Sequence, residues 1–255
     1  MATIRRRNPR SQRSRKGLIK YARDETSQGG EDGILEKIFE LIPMHAESSD
    51  DCKVKRVARF CVDIGAWDGK HLSNTYNLLC NPESEGGTSE KWKGLLIEAN
   101  TERFEELERL HRPFQNLCLR HCVSCLEDLG DEEETMAWSN SLPSILHREK
   151  KRILSCMYEE DVTSDIVPII DFLCIDVDGT DYWLLKDALI MFSEGSIDIY
   201  VICCEFNPTM PDDLIYIQER SDSVRHGSSL SALCELANHY GFVLVGALLI
   251  FSILH

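Results

Sequence analysis

Apolar residues along this chain fall into short, mostly apolar runs separated by longer stretches with a helical repeat. Ala58–Ile64, Gly94–Ile97, Leu117–Val123, Ile166–Ile175, Ile197–Cys204 and Phe242–Ile250 read as strands. Runs that are apolar at successive positions bury both faces of a sheet, the habit of parallel strands. Between them, apolar side chains recur three and four residues apart. Ile34, Leu35, Ile38, Phe39 and Ile42 mark one helix; His71–Cys80, Thr101–His111, Ser144–Tyr158 and Tyr182–Phe192 mark others. A last helix carries Leu230, Leu233, Leu236 and Tyr240, with Ser228 or Ser229 as its cap and Gly241 as its stop. Strands alternating with helices predict an α/β fold, a mostly parallel sheet covered on both faces.

Length and charge refine this picture. The 255 residues and 43% hydrophobic content suit one large domain with a tail. Nine of the 28 Lys and Arg fall in residues 1–23, without an acid among them, which leaves the remainder at a net −24. The expected organisation is a basic disordered tail over 1–23 and a single domain over 24–255, with an insertion around 126–165 that holds the acidic patch Asp131–Glu134. So acidic a body repels phosphates and argues against nucleic acid as a partner. No apolar run reaches the ~20 residues of a membrane helix, so no membrane partner is expected. Eleven cysteines, several of them (Cys61, Cys174, Cys203, Cys204) inside apolar runs, read as buried small hydrophobes in a reducing compartment. The expectation is a cytoplasmic protein, although an Arg-rich, acid-free tail also fits an organelle presequence.

The chemistry concentrates where strands end. Val62-Asp63-Ile64-Gly65-Ala66-Trp67-Asp68-Gly69 is a buried strand, an acid, a glycine turn and the start of a helix. Glycine lets the backbone turn sharply against a ligand, and the free N–H groups of a helix start point the same way. Ligands of open α/β sheets bind beyond the C-terminal strand ends. Here those ends carry Asp63, Glu98, Asp176 and Glu205. A carboxylate ending the second strand suits the two hydroxyls of a ribose. Trp67 stands where the second glycine of a nicotinamide-dinucleotide motif would fall, so the spacing favours a different adenosine cofactor.

That pattern looks like the S-adenosylmethionine motif of class I methyltransferases. From Ser27 to about Leu244 the chain more closely resembles the FkbM-like methyltransferase family. The matching pieces are SQGGEDGIL, VDIGAWDGKHLSNTYNLL, WKGLLIEAN, DFLCIDVDGTDYWLL, CCEFNPTMP and HGSSLSAL, in that order. The resemblance implies a Rossmann-like class I methyltransferase sheet and S-adenosylmethionine as cofactor. Gly65 and Gly69 would lie against it, with Asp63 near its methionine end and Glu98 on its ribose. Gln28, Glu31 and Asp32 would cover the site, and Asp176 would face the transferring methyl. The implied reaction is methyl transfer to a hydroxyl of a small molecule or sugar. The family also implies one more strand between the last two read here; residues 250–255 look too short for it, so the sheet is expected to lack its last strand.

Asp176, Asp178, Asp181, Glu205 and Asn207 form a second group, and the oxygens of Asp176, Asp178, Glu205 and Asn207 suit a hard cation such as Mg²⁺. Asp176, Asp178 and Glu205 are also the candidate catalytic acids and bases, with His226 a weaker one. Other readings compete. The chain could be a degenerate methyltransferase-like binding module. Asp176-Val177-Asp178-Gly179-Thr180 also spells a phosphatase motif, with Asp212 and Asp213 as its later acids, or a D-x-D of a metal-dependent glycosyltransferase. Cys118, Cys122 and Cys125 have the spacing of an iron–sulfur site but overlap a predicted strand.

Overall fold

The computed structural model of the protein describes residues 3–6, 17–42, 44, 55–80, 91–126, 140–159, 162–163, 165–248 and 251–254. Its strands are β1 (Thr3–Arg6), β2 (Arg59–Ile64), β3 (Trp92–Glu98), β4 (Leu117–Arg120), β5 (Ile169–Ile175), β6 (Asp198–Glu205), β7 (Leu214–Ile217), β8 (Leu244–Ala247) and β9 (Phe251–Leu254). Its α-helices are α1 (Glu31–Leu41), α2 (Tyr76–Cys80), α3 (Thr101–His111), α4 (Leu142–Met157), α5 (Asp181–Ser193) and α6 (Leu230–His239). Seven strands form one sheet in the order β4-β3-β2-β5-β6-β9-β8. The first five run parallel; β9 is antiparallel to both of its neighbours. This is a Rossmann-like, doubly wound α/β sheet, and chain order reverses between β2 and β5. A crevice opens at such a switch point, beyond the C-terminal ends of the strands.

Alternation along the strands explains the two layers. Val62, Ile64, Leu95, Ile97, Leu173, Ile175 and Ile202 face α4, α5 and α6 in one core. Cys61, Leu96, Phe172, Cys174, Val201 and Cys203 face α1, α2 and α3 in the other. With both faces buried, the strands are apolar at most positions, and Arg59 and Asp171, charged and inside them, are paired with each other.

The structure departs from several expectations. In the segment 126–165, read as an insertion in the same domain, Leu142, Ile145, Leu146, Ile153, Leu154 and Met157 of α4 are buried in the core. The acidic patch Asp131–Glu134 lies outside the described residues. Within the tail expected to be disordered, β1 pairs antiparallel with β7, Thr3 opposite Ile217 and Arg6 opposite Leu214. The helix read over His71–Cys80 starts only at Tyr76. Asp68 Oδ1 accepts the N–H groups of Lys70 and His71, and Ser73 Oγ accepts those of Thr75 and Tyr76. Such local bonds hold the chain in turns instead of helix. The single strand read over Phe242–Ile250 is two, β8 and β9, and β9 fills the slot expected to be empty. The open edge of β6 offers unpaired backbone groups, and four residues suffice to take them up.

Candidate functional site

The turn after β2 is forced by packing. Gly65 has φ +89°, and a Cβ there would meet the carbonyl oxygen of Asp176 at 1.7 Å. Only glycine lets the two strand ends close on each other this tightly. Gly69, expected against the cofactor, instead lies against α3: its missing Cβ would meet Leu107 and His111 at 2.5 Å. His111 Nε2 donates to its carbonyl at 3.1 Å. Gly69 therefore sets helix packing, and the ligand side is left to Gly65.

Beyond the ends of β2 to β5 lies a cavity of about 320 Å³. Gly65 and Trp67, Glu98 and Asn100, His121 to Val123, and Asp176 to Asp178 line it, one group from each strand end. Glu98 is buried, and its two oxygens accept the N–H of Trp67 at 2.9 Å and of Asn100 at 2.6 Å. The carboxylate is thereby fixed, with lone pairs remaining for two more donors. Trp67 and Asp178 both hold positive φ, 52° and 58°, without being glycine. Such strained residues gather at ligand sites. Arg103 stacks over the Trp67 ring at 4.7 Å.

A second cavity of about 390 Å³ adjoins the first. Asp178, Asp181, Glu205, Phe206 and Asn207 line it together with Arg225 and His226, and Asp178 and Arg225 line both cavities. At the junction the side-chain oxygens of Asp176, Asp178 and Glu205 lie within 4.8 Å of one another. Asp176 is pushed up by burial and then by the charges of Asp181, Asp63 and Asp178. Glu205 is pushed up further, by burial and then by Asp181, Asp176 and Asp178, and it shares a hydrogen bond with Asp176. Burial and the surrounding like charges push both carboxyls toward their protonated forms. Asp181 is buried; its oxygens accept the N–H of Val177 at 2.9 Å and of Gly179 at 2.8 Å, which folds the turn that presents Asp176 and Asp178. Burial raises its pKa to about 6.

Asp63 is buried, its pKa also raised to about 6, first by desolvation, while Thr75 Oγ1 donates to it at 2.6 Å. Upstream, Glu31 is fully buried: Oε2 accepts the N–H of Gly29 at 2.7 Å, and Oε1 has no partner among the described residues. Asp32 is turned away from any ligand role; its Oδ2 accepts the N–H groups of Glu25, Thr26 and Ser27. Gln28, expected to cover the site, is exposed. Asn207, expected as a metal ligand, is spent on its own turn: Oδ1 accepts from the backbone and hydroxyl of Thr209, and Nδ2 donates to the His226 carbonyl. Sequence reasoning missed Thr75, Asn74, Asn100, Trp67 and Arg225. Polar Ser73-Asn74-Thr75 within an apolar segment was the available signal for two of them.

The competing readings find less support. Asp212 and Asp213 are exposed ahead of β7, apart from the acids at the junction. Cys118, Cys122 and Cys125 do not gather into a group of potential ligands among the described residues.

No protein-family model matches the sequence, and no curated protein matches it. The structure is similar to that of the mitomycin 7-O-methyltransferase MmcR, at 15% sequence identity and a TM-score of 0.34, over 77% of this chain and 48% of that one. The chain thus spans about half the length of that protein. The fold assignment rests on the strand order itself.

Proposed function

We propose that the chain binds S-adenosylmethionine in the cavity beyond β2, β3 and β4 and transfers its methyl group to a hydroxyl in the adjoining cavity. The observation that carries this reading is the pair of cavities that share Asp178 and Arg225, with Asp176 lining the first beside them and Glu98 fixed at its far side. Glu98 accepts from the ribose hydroxyls, as a carboxylate already oriented by two amides can. The acceptor oxygen attacks the sulfonium methyl in line; the carbon–sulfur bond breaks, the sulfur keeps the electron pair, and the hydroxyl proton passes to Asp176. A base whose pKa lies near neutrality is suited to that step. The acidic junction also favours a bound sulfonium cation by charge. We assign the FkbM-like family as the nearest description of the motifs, and a small-molecule or sugar hydroxyl as acceptor.

Three hard oxygens within 4.8 Å also fit Mg²⁺. Asp176, Asp178 and Glu205 would hold it, and it would supply a lowered pKa for the acceptor hydroxyl. Asn207 would not contribute.

Calorimetric titration with S-adenosylhomocysteine tests the cofactor reading. Saturable binding at one site is expected. A folded protein that gives no heat across the micromolar and millimolar range overturns it and leaves the degenerate binding module.

A further inference from the structure

A guanidinium stands among the acids of the junction. Among the described residues Arg225 is the only Lys or Arg that lines either cavity, and it lines both. Its Nη1 lies 4.0 Å from Asp178 Oδ2, and the two side chains are 70% and 75% exposed. Asp178 is in turn one of the three acids whose oxygens lie within 4.8 Å of one another. A cation of the protein's own therefore reaches one of the carboxyls that suit Mg²⁺.

The backbone that carries Arg225 is fixed, while its side chain is free to leave. Gln218 is buried and spends both ends of its amide around Arg225. Its Oε1 accepts the N–H groups of His226 at 3.1 Å and Gly227 at 2.9 Å, and its Nε2 donates to the Val224 carbonyl at 3.1 Å. Asp222 ties the same loop to the segment after β4, accepting from Ser124 Oγ at 2.7 Å and from the Cys125 N–H at 2.8 Å. Gly179, with φ +141°, lets the loop close on the acid-bearing turn: a Cβ there would meet Arg225 Cα at 2.7 Å. The guanidinium is thus rooted beside Asp178 and has a solvated path away from it. An ion pair so long and so exposed is weak, and it can open without disturbing the loop.

A guanidinium keeps its charge at every working pH and has donors but no acceptor. A metal ion on Asp178 uses the same oxygen lone pairs and repels the same charge. We propose that Arg225 is a tethered competitor of the divalent cation: guanidinium and metal exclude each other at Asp178, and Arg225 thereby sets how tightly the metal is held. This rests on the metal reading above. It gives a role to a residue that lies outside the matching motifs and outside the acid cluster. The consequence is a junction that exchanges its cation with the free pool instead of trapping it.

The test uses Mn²⁺, which takes the same oxygen ligands as Mg²⁺. It is titrated into the full chain while the paramagnetic resonance of the free ion is followed. Arg225→Met should bind Mn²⁺ about threefold to tenfold more tightly than the parent. Arg225→Lys keeps a charge on the same loop and should stay within about twofold of the parent. Arg112→Met changes the net charge by the same amount at a residue that lines neither cavity, and it too should stay within about twofold. Both arginine side chains are exposed, so none of these changes removes packing. An Arg225→Met protein that binds Mn²⁺ no more tightly than the parent overturns the proposal. Equal tightening in Arg112→Met overturns it too, because net charge would then account for the effect. If neither the parent nor Arg225→Met takes up Mn²⁺, the metal reading falls and carries this inference with it; a parallel titration with S-adenosylhomocysteine tells that result apart from failure of the cofactor reading.

Discussion

The two ends of the sheet treat buried acids in opposite ways. At the end where the strands begin, Asp171 is fully buried and shared by the equally buried Arg56 and Arg59, and it also accepts the N–H of Phe60 at 2.8 Å. Where the strands finish, Asp63, Asp176, Asp181 and Glu205 stand together, and none of them forms an ion pair among the described residues. Their pKa values rise instead. The charge at the first end is neutralised by the fold itself; at the second it is left for a proton or an incoming cation. One end is architecture, and the other keeps its acids unpaired at a cost in stability, the pattern found where acids serve a functional site.

Breaking the paired end should have the largest effect. Asp171→Ala leaves two buried guanidinium groups uncompensated and should cost about 3–5 kcal/mol of stability, read from urea denaturation. The fraction that stays folded should bind S-adenosylhomocysteine as the parent does. An Asp171 variant with unchanged stability would show that the two ends do not differ in kind. Next comes the ligand side of the unpaired end. Glu98→Ala should weaken S-adenosylhomocysteine binding by about 2–4 kcal/mol, the worth of a charge-assisted pair of hydrogen bonds. Unchanged affinity would remove Glu98 from the ribose.

The smallest and most diagnostic effect is in pH. Each raised acid holds its proton in the folded state over a window in which the unfolded chain has released it, so stability falls as pH rises through that window. For Asp63 and Asp181 the window runs from the ordinary aspartate value of 3.8 to about 6, and the Asp176–Glu205 pair extends it upward. Glu205→Gln should flatten the alkaline part of the curve and match or exceed the parent's melting temperature at pH 8. Mg²⁺ should raise the parent's melting temperature at that pH and leave the variant's unchanged. A parent indifferent to Mg²⁺ would leave the proton as the sole occupant of the junction.

How much of this was legible in the sequence depended on how local the cause was. The runs at Ile169–Ile175 and Asp198–Glu205 identify themselves because a strand buried on both faces is apolar at nearly every position; Asp171, the interior exception, is paired with Arg56 and Arg59. Ser229 reads as a cap because its oxygen reaches the Ala232 amide three residues on. Glu98, Asp176 and Glu205 are visible as acids closing apolar runs. Gly69 misled because a glycine needed for helix packing looks in sequence like one needed for a ligand. Asn207 misled because its turn partner, Thr209, competes for the oxygen a metal would use. That Asn74 and Glu31 each bury an oxygen with no partner among the described residues was invisible, since burial comes only once α1 and the turn before α2 have packed. The late hairpin was hidden by an apolar stretch whose periodicity does not reveal where one strand stops and the next begins.

The placement of β9 sets the order of assembly. Residues 251–254 are threaded between strands made earlier, so a ribosome-bound chain can lay down the five parallel strands and their helices while β6 still lacks its outer neighbour. Closure of the sheet waits until translation has passed Leu254.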